Sequence, residues 1–149
     1  MDDDRVLVLV SAAQLATGAG GLALALRRRH AFDLPFWHGQ PSAVGRDALL
    51  MGTALSAPAV MLGAQAGAIA ALLRGPSPAA RRLLGGLGAA MVAGYLAERL
   101  VRHRLAPVGW DRTESPVIVA GIGLAAAMAL IGLRPTGSRA DAGSGEPPA

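Results

Sequence analysis

The chain has no cysteine, which excludes disulfides, thiol redox chemistry and thiolate metal sites. It has no lysine either: all 14 basic residues are arginine. In so alanine-rich a sequence this bias fits a GC-rich coding sequence, and it carries no functional weight. Aromatic residues are scarce, with two Trp, two Phe and one Tyr in 149 positions. No Gly-rich phosphate cradle, nucleophile elbow or clustered metal-ligand motif is present. The start "MDDDR" offers acids where a secretory signal needs a positive n-region, so no cleaved signal is expected.

The most informative absence is that of charge. Acids and arginines are missing from four stretches, 6–26, 48–73, 83–97 and 117–133, and crowd into the segments between them. Residues of apolar type make up 52% of the chain, and the mean hydropathy is positive. A hydrocarbon core of roughly 30 Å needs about 20 apolar residues in a helix that satisfies its own backbone. This predicts an all-α integral membrane protein: a domain over 1–134 with four transmembrane helices, at about 6–26, 48–73, 79–101 and 117–133. A soluble Ala-rich bundle would need amphipathic surface, for which four such runs leave little room. The third run covers only about 22 Å without charge, so Arg81, Arg82, Arg99 and Arg102 are expected to snorkel. The remainder, 135–149, is rich in Pro, Gly and Ser and predicts a disordered tail.

Helix boundaries carry their own punctuation. Ser77-Pro78 and Ser115-Pro116 each offer a serine N-cap before a proline at the first helical position. The third helix then runs from about 78 to 105, with Pro107 as its stop, and Pro58 should kink the second. Ser11, Gln14, Gly18 and Gly21 fall on one stripe of the first helix. Gly63 and Gly67 form GxxxG in the second, and Gly88 and Gly94 lie in the third. Such positions suit close packing, within the bundle or between copies, with Gln14 and Gln65 able to hydrogen-bond across helices. A polar conduit along these two glutamines is the alternative.

With four spans, the loops over 27–47 and roughly 98–116 emerge on one side. Those loops hold all three histidines, both tryptophans and every acid outside the terminal segments. Phe36, Trp37 and Trp110 read as interfacial anchors. His30, Asp33 and His38 are ligand-type residues, but their spacing matches no metal pattern and Pro35 breaks any helix that would align them, so no metal is expected. His103 and Asp111 add polar groups from the second loop. Glu98, in "AGYLAERLVRHRL", falls where an ionisable group is costly and often functional. On a continuous helix Tyr95, Glu98 and Arg102 share a face, with Glu98 and Arg102 as an i, i+4 pair.

The two loops carry eight arginines (27, 28, 29, 46, 99, 102, 104, 112) against six elsewhere (5, 74, 81, 82, 134, 139). By the positive-inside rule this face is cytoplasmic in the cell membrane. The leading functional reading is a non-enzymatic membrane protein that packs with itself or a partner and meets anionic head groups with its arginines. A transporter or channel subunit using Glu98 as a proton- or cation-binding carboxylate is the alternative, and an interfacial enzyme on a lipid substrate is third. Nucleic acid and cofactors are not expected.

Overall fold

The first helix, α1 (Asp3–Arg28), forms where the charge-free run predicts it. Asp3 and Asp4 in its first turn and Arg27 and Arg28 in its last complement the helix dipole. Leu7, Ser11, Gln14, Gly18, Gly21 and Ala25 are its buried residues, a spacing of threes and fours that marks one helical face. The small-residue stripe expected from the sequence is thus the inward one. In this computed structural model the described residues are 2–28 and 57–135, with the backbone alone of 33–34 and 37–38. Two short strands, β1 (Asp33–Leu34) and β2 (Trp37–His38), pair antiparallel with Leu34 opposite Trp37. The tail over 136–149 and the stretch 48–56 of the second expected span lie outside the described residues.

Helix α2 (Ala59–Arg74) starts immediately after Pro58, whose carbonyl accepts from the N–H groups of Met61 and Leu62. Pro58 has extended ψ and flanks the helix rather than kinking its interior. A proline is tolerated there because it interrupts no bond of the helix that follows. Helix α3 (Pro78–Ala97) is capped as expected: the Ser77 hydroxyl accepts from the Ala80 N–H at 3.3 Å, with Pro78 at the first helical position.

The continuous helix expected to Leu105 does not form. Glu98 leaves the helical region, with φ −71° and ψ 126°, and α4 (Arg99–Leu105) departs at 78° to α3. A short 3-10 turn (Pro107–Gly109) follows, and α5 (Glu114–Gly132) completes the described chain. The described residues are therefore essentially all helical. Helices α1 and α5 are each long and apolar enough to cross a membrane, and the bent α3–α4 pair makes a third if counted as one span. Helix α2, with 16 residues, reaches about 24 Å and falls short on its own.

Helix α3 packs most extensively on α5, α1 packs on α5 and α2, and α2 also packs on α3. Leu7, Leu84, Val101, Ile118, Ala125 and Met128 are fully enclosed between them. The α3–α5 contact is backbone to backbone. A Cβ on Gly88 would lie 2.6 Å from the Ala125 carbonyl oxygen and 2.7 Å from the Ala129 nitrogen. Gly85 and Gly132 approach each other in the same way. By contrast, among the described residues nothing lies within 4 Å of that position at Gly63, Gly67 or Gly94. The GxxxG of α2 therefore points away from its neighbours, and only Gly88 among these four serves packing within the chain.

Several polar side chains are enclosed while large apolar ones face outward. Ser11, Gln14 and Gln65 are fully buried, whereas Leu9, Val60, Leu73, Leu83, Leu96, Val119 and Leu130 are exposed. Gln65 Nε2 donates to the Ser11 carbonyl at 2.7 Å, the cross-helix bond expected of it. Among the described residues, neither polar atom of the Gln14 amide has a hydrogen-bond partner.

Replacing Gly88 with Ala forces backbone apart and should lower stability by about 1–3 kcal/mol. Gly67→Ala meets open space and should be neutral or gain up to about 1 kcal/mol from helix propensity. Thermal unfolding of the detergent-solubilised protein checks both. Equal losses at the two positions would contradict the assigned faces.

Candidate functional site

The most concentrated polar chemistry in the described residues lies where α1 ends and α5 begins. The sequence Asp111-Arg112-Thr113-Glu114 builds it. The Asp111 carbonyl accepts from the Ser115 N–H, and its Oδ1 accepts from the N–H groups of Glu114 at 2.7 Å and Thr113 at 2.9 Å. Asp111 is therefore the cap of α5. Ser115, expected in that role, is one turn further on. Its hydroxyl accepts from the Asp111 N–H and donates to the Arg104 carbonyl, which fastens α4 to the start of α5.

Capping turns Glu114 inward, where its side chain has no exposed surface. Arg28 Nη1 donates to one carboxylate oxygen at 2.5 Å and Arg104 Nε to the other at 2.7 Å. Arg28 also faces Asp111 Oδ2 at 3.6 Å, and Arg104 Nη1 donates to the Gly109 carbonyl. Among the described residues, Arg28 and Arg104 meet Glu114 and Asp111 in one cluster that joins α1, α4 and α5. The backbone N–H groups of Glu114 and Thr113 hold the Asp111 carboxyl below the usual carboxylate range, and the Arg28 and Arg104 charges act in the same direction.

A second clasp closes the opposite ends of the helices. Arg81 is buried at the start of α3, where Nη1 meets Asp4 at 2.7 Å and Nη2 donates to the Ile131 carbonyl at 2.7 Å, with Asp3 at 3.8 Å. The expected outward snorkelling of Arg81 is replaced by this inward reach, because the first turn of α1 supplies its acids within the chain.

Glu98 sits at the break between α3 and α4 and is buried, with 5% of its surface exposed. Its N–H donates to the carbonyls of Gly94 and Tyr95. Arg102 does not form the expected i, i+4 pair with Glu98. Its guanidinium donates to the carbonyls of Leu96 and Ala97, satisfying the open end of α3. Tyr95 lies on α3 and Arg102 on α4, so the 78° bend removes the shared helix face. Tyr95 is buried against Gly121.

His103 is exposed on α4, and its carbonyl and ring abut Gly109 so closely that no side chain fits at that position. Trp110 is half exposed, in keeping with an interfacial anchor. Backbone β1 lies beside α4, so the two polar loops adjoin there. Residues His30 and Phe36, and the side chains of Asp33, Trp37 and His38, lie outside the described residues. Among the described residues no group of three or more His, Asp or Glu converges in a way that would hold a metal.

Sequence reasoning missed Arg28, Arg81, Arg104 and Glu114. The one local signal was the spacing of Asp111 and Glu114, a capping acid followed three positions later by Glu. Comparison with known protein families, with characterised proteins and with solved structures gives no match to this chain.

Removing the Glu114 carboxylate takes from Arg28 and Arg104 the acceptor that both use. Because Arg28 is 38% exposed, Glu114→Ala should cost near the lower end of the range for a broken buried pair, about 3 kcal/mol. A stability curve against pH separates the cap from the charge at Asp111. A lowered folded pKa contributes stability above the unfolded value and loses it as pH falls through the folded value. The stability that Asp111 confers should therefore disappear on acidification through and below the ordinary carboxylate range. Asp111→Asn should keep the cap but lose this acid-dependent component, and Asp111→Ala should lose both.

Proposed function

We propose that the chain is a multi-pass protein of the cell membrane, a four-span helix bundle that works by association with further copies of itself or with a membrane partner. The observation that carries this reading is the outer face of α2. Gly63, Ala64 and Gly67 are exposed there, opposite the buried Leu62, Gln65, Ala68, Ile69 and Leu72. Exposed small residues at i and i+4 gain little from lipid tails but let a second helix approach to backbone contact. The exposed leucines and valines around the helices fit a lipid solvent, and the ion pairs at both helix ends use charge to hold the fold. In this reading the loops over 27–47 and 98–116 form a cytoplasmic face whose arginines, histidines and tryptophans meet anionic head groups or the partner.

A second reading is favoured by one feature, the broken helix at the buried Glu98. Discontinuous helices at a carboxylate are a device for binding ions in transporters. One set of reconstituted vesicles separates the two readings. Pairs of differently labelled chains should show energy transfer that Gly67→Leu weakens about tenfold, a loss of roughly 1.4 kcal/mol. Glu98→Gln should leave that association intact. A pH-driven flux abolished by Glu98→Gln, with association unaffected by Gly67→Leu, would replace the first reading with the second.

A further inference from the structure

A crevice of about 450 Å³ opens where α1 begins and α2 ends. Its lining carries charge of both signs, Asp2 and Asp4 with Arg5 and Arg74, beside the apolar Val8, Leu9, Leu72 and Leu73. The size is that of an ordinary small-molecule site. An apolar trough with charged residues beside it is common in shape, but the pairing of signs is informative. Carboxylates and guanidinium groups both line it, with Asp4 shared with Arg81, so neither an anion nor a cation alone matches the lining. They complement a ligand that carries a cation and an anion joined at short range and attached to an apolar body.

We propose that this crevice binds a glycerophospholipid whose head group bears a primary amine, with phosphatidylethanolamine as the type. The Arg5 and Arg74 guanidinium groups take the phosphodiester, which their donor forks match. The Asp2 and Asp4 carboxylates accept from the ammonium, which presents three N–H donors. A quaternary trimethylammonium has none to give, so phosphatidylcholine is discriminated against at the same position. The acyl chains descend along Leu9 and Leu73, which are 61% and 71% exposed on the outer surface.

Asp4 is positioned by its 2.7 Å contact with Arg81 and keeps 32% of its side chain exposed. Asp2 and Arg5 are exposed at the helix start, where binding would order them.

This site rests on the membrane reading, and the test keeps the two apart. The full chain is first assayed for resistance to alkaline carbonate extraction. It is then taken from bilayers of equal phosphatidylethanolamine, phosphatidylcholine and phosphatidylglycerol, and the retained lipids are counted by native mass spectrometry. The expected result is retention of phosphatidylethanolamine about tenfold over phosphatidylcholine, a ratio that Asp2→Asn combined with Arg74→Gln brings near unity. Both residues are exposed and lie outside the Arg81 clasp, so the fold should survive the change. Equal retention of the two zwitterionic lipids, or preferred phosphatidylglycerol unaffected by the variant, would overturn the site while leaving the membrane reading in place. Release by carbonate would overturn both.

Discussion

A carboxylate with no exposed surface is unstable unless its charge is met, and Glu114 meets it with Arg28 from one helix and Arg104 from another. The geometry of one whole end of the molecule follows. Asp111 must cap α5 for Glu114 to face inward, α4 must turn aside from α3 for Arg104 to arrive, and α1 must end where Arg28 reaches both acids. Gly109 belongs to the same arrangement, because only a residue without Cβ lets the chain pass His103 on its way to Asp111. At the far end Arg81 does the corresponding work with Asp4 and the Ile131 carbonyl of α5. Between these clasps the helices are held by shape, with α3 and α5 in contact through glycine and alanine.

The interior layer between the clasps is unusually polar. Gln14, Gln65 and Ser11 are enclosed, and only part of their hydrogen-bonding capacity is met by protein. In water such a layer would compete poorly with hydration. In a hydrocarbon solvent the balance changes, since the outside offers these groups nothing and even partial pairing inside is favourable. The exposed leucines and valines give the complementary half of that argument.

Much of the helical content was legible because it depends on local chemistry. The α1 stripe follows from a period of 3.6, the Ser77 cap from a Ser-Pro signal, and the end of α4 from Pro107. What escaped depends on contacts distant in sequence. Nothing in "YLAERLVRHRL" announces a break, since neither glycine nor proline occurs there. The chain turns at Glu98 because Arg102 can satisfy the carbonyls of Leu96 and Ala97, and because Arg104 has a carboxylate to reach. The cap of α5 was misread because Ser115-Pro116 is the stronger local signal, while Asp111 gains from arginines on two other elements. The GxxxG of α2 shows a related limit: the motif states that a face is small and leaves unsaid whether anything lies against it. The candidate site was less legible than the fold, because only Asp111 of the four clustered charges was singled out by its sequence context.

The clasps also set a timetable. Arg28 is separated from Glu114 by 86 positions, and Asp4 from Arg81 by 77. At a synthesis rate of about 5–20 residues per second, α1 exists for roughly 4 to 17 s before the carboxylate that neutralises its last arginine has been made. Over that interval Asp4 waits for Arg81 and Arg28 waits longer for Glu114, so the two ends of α1 gain these partners in turn. The final helix then acts as a keystone: its arrival discharges one end directly, and the other through the carbonyl it lends to Arg81. Until then the earlier helices are a provisional assembly, and a chain interrupted before α5 would leave Arg28, Arg104 and one arm of Arg81 without the acceptors that α5 brings.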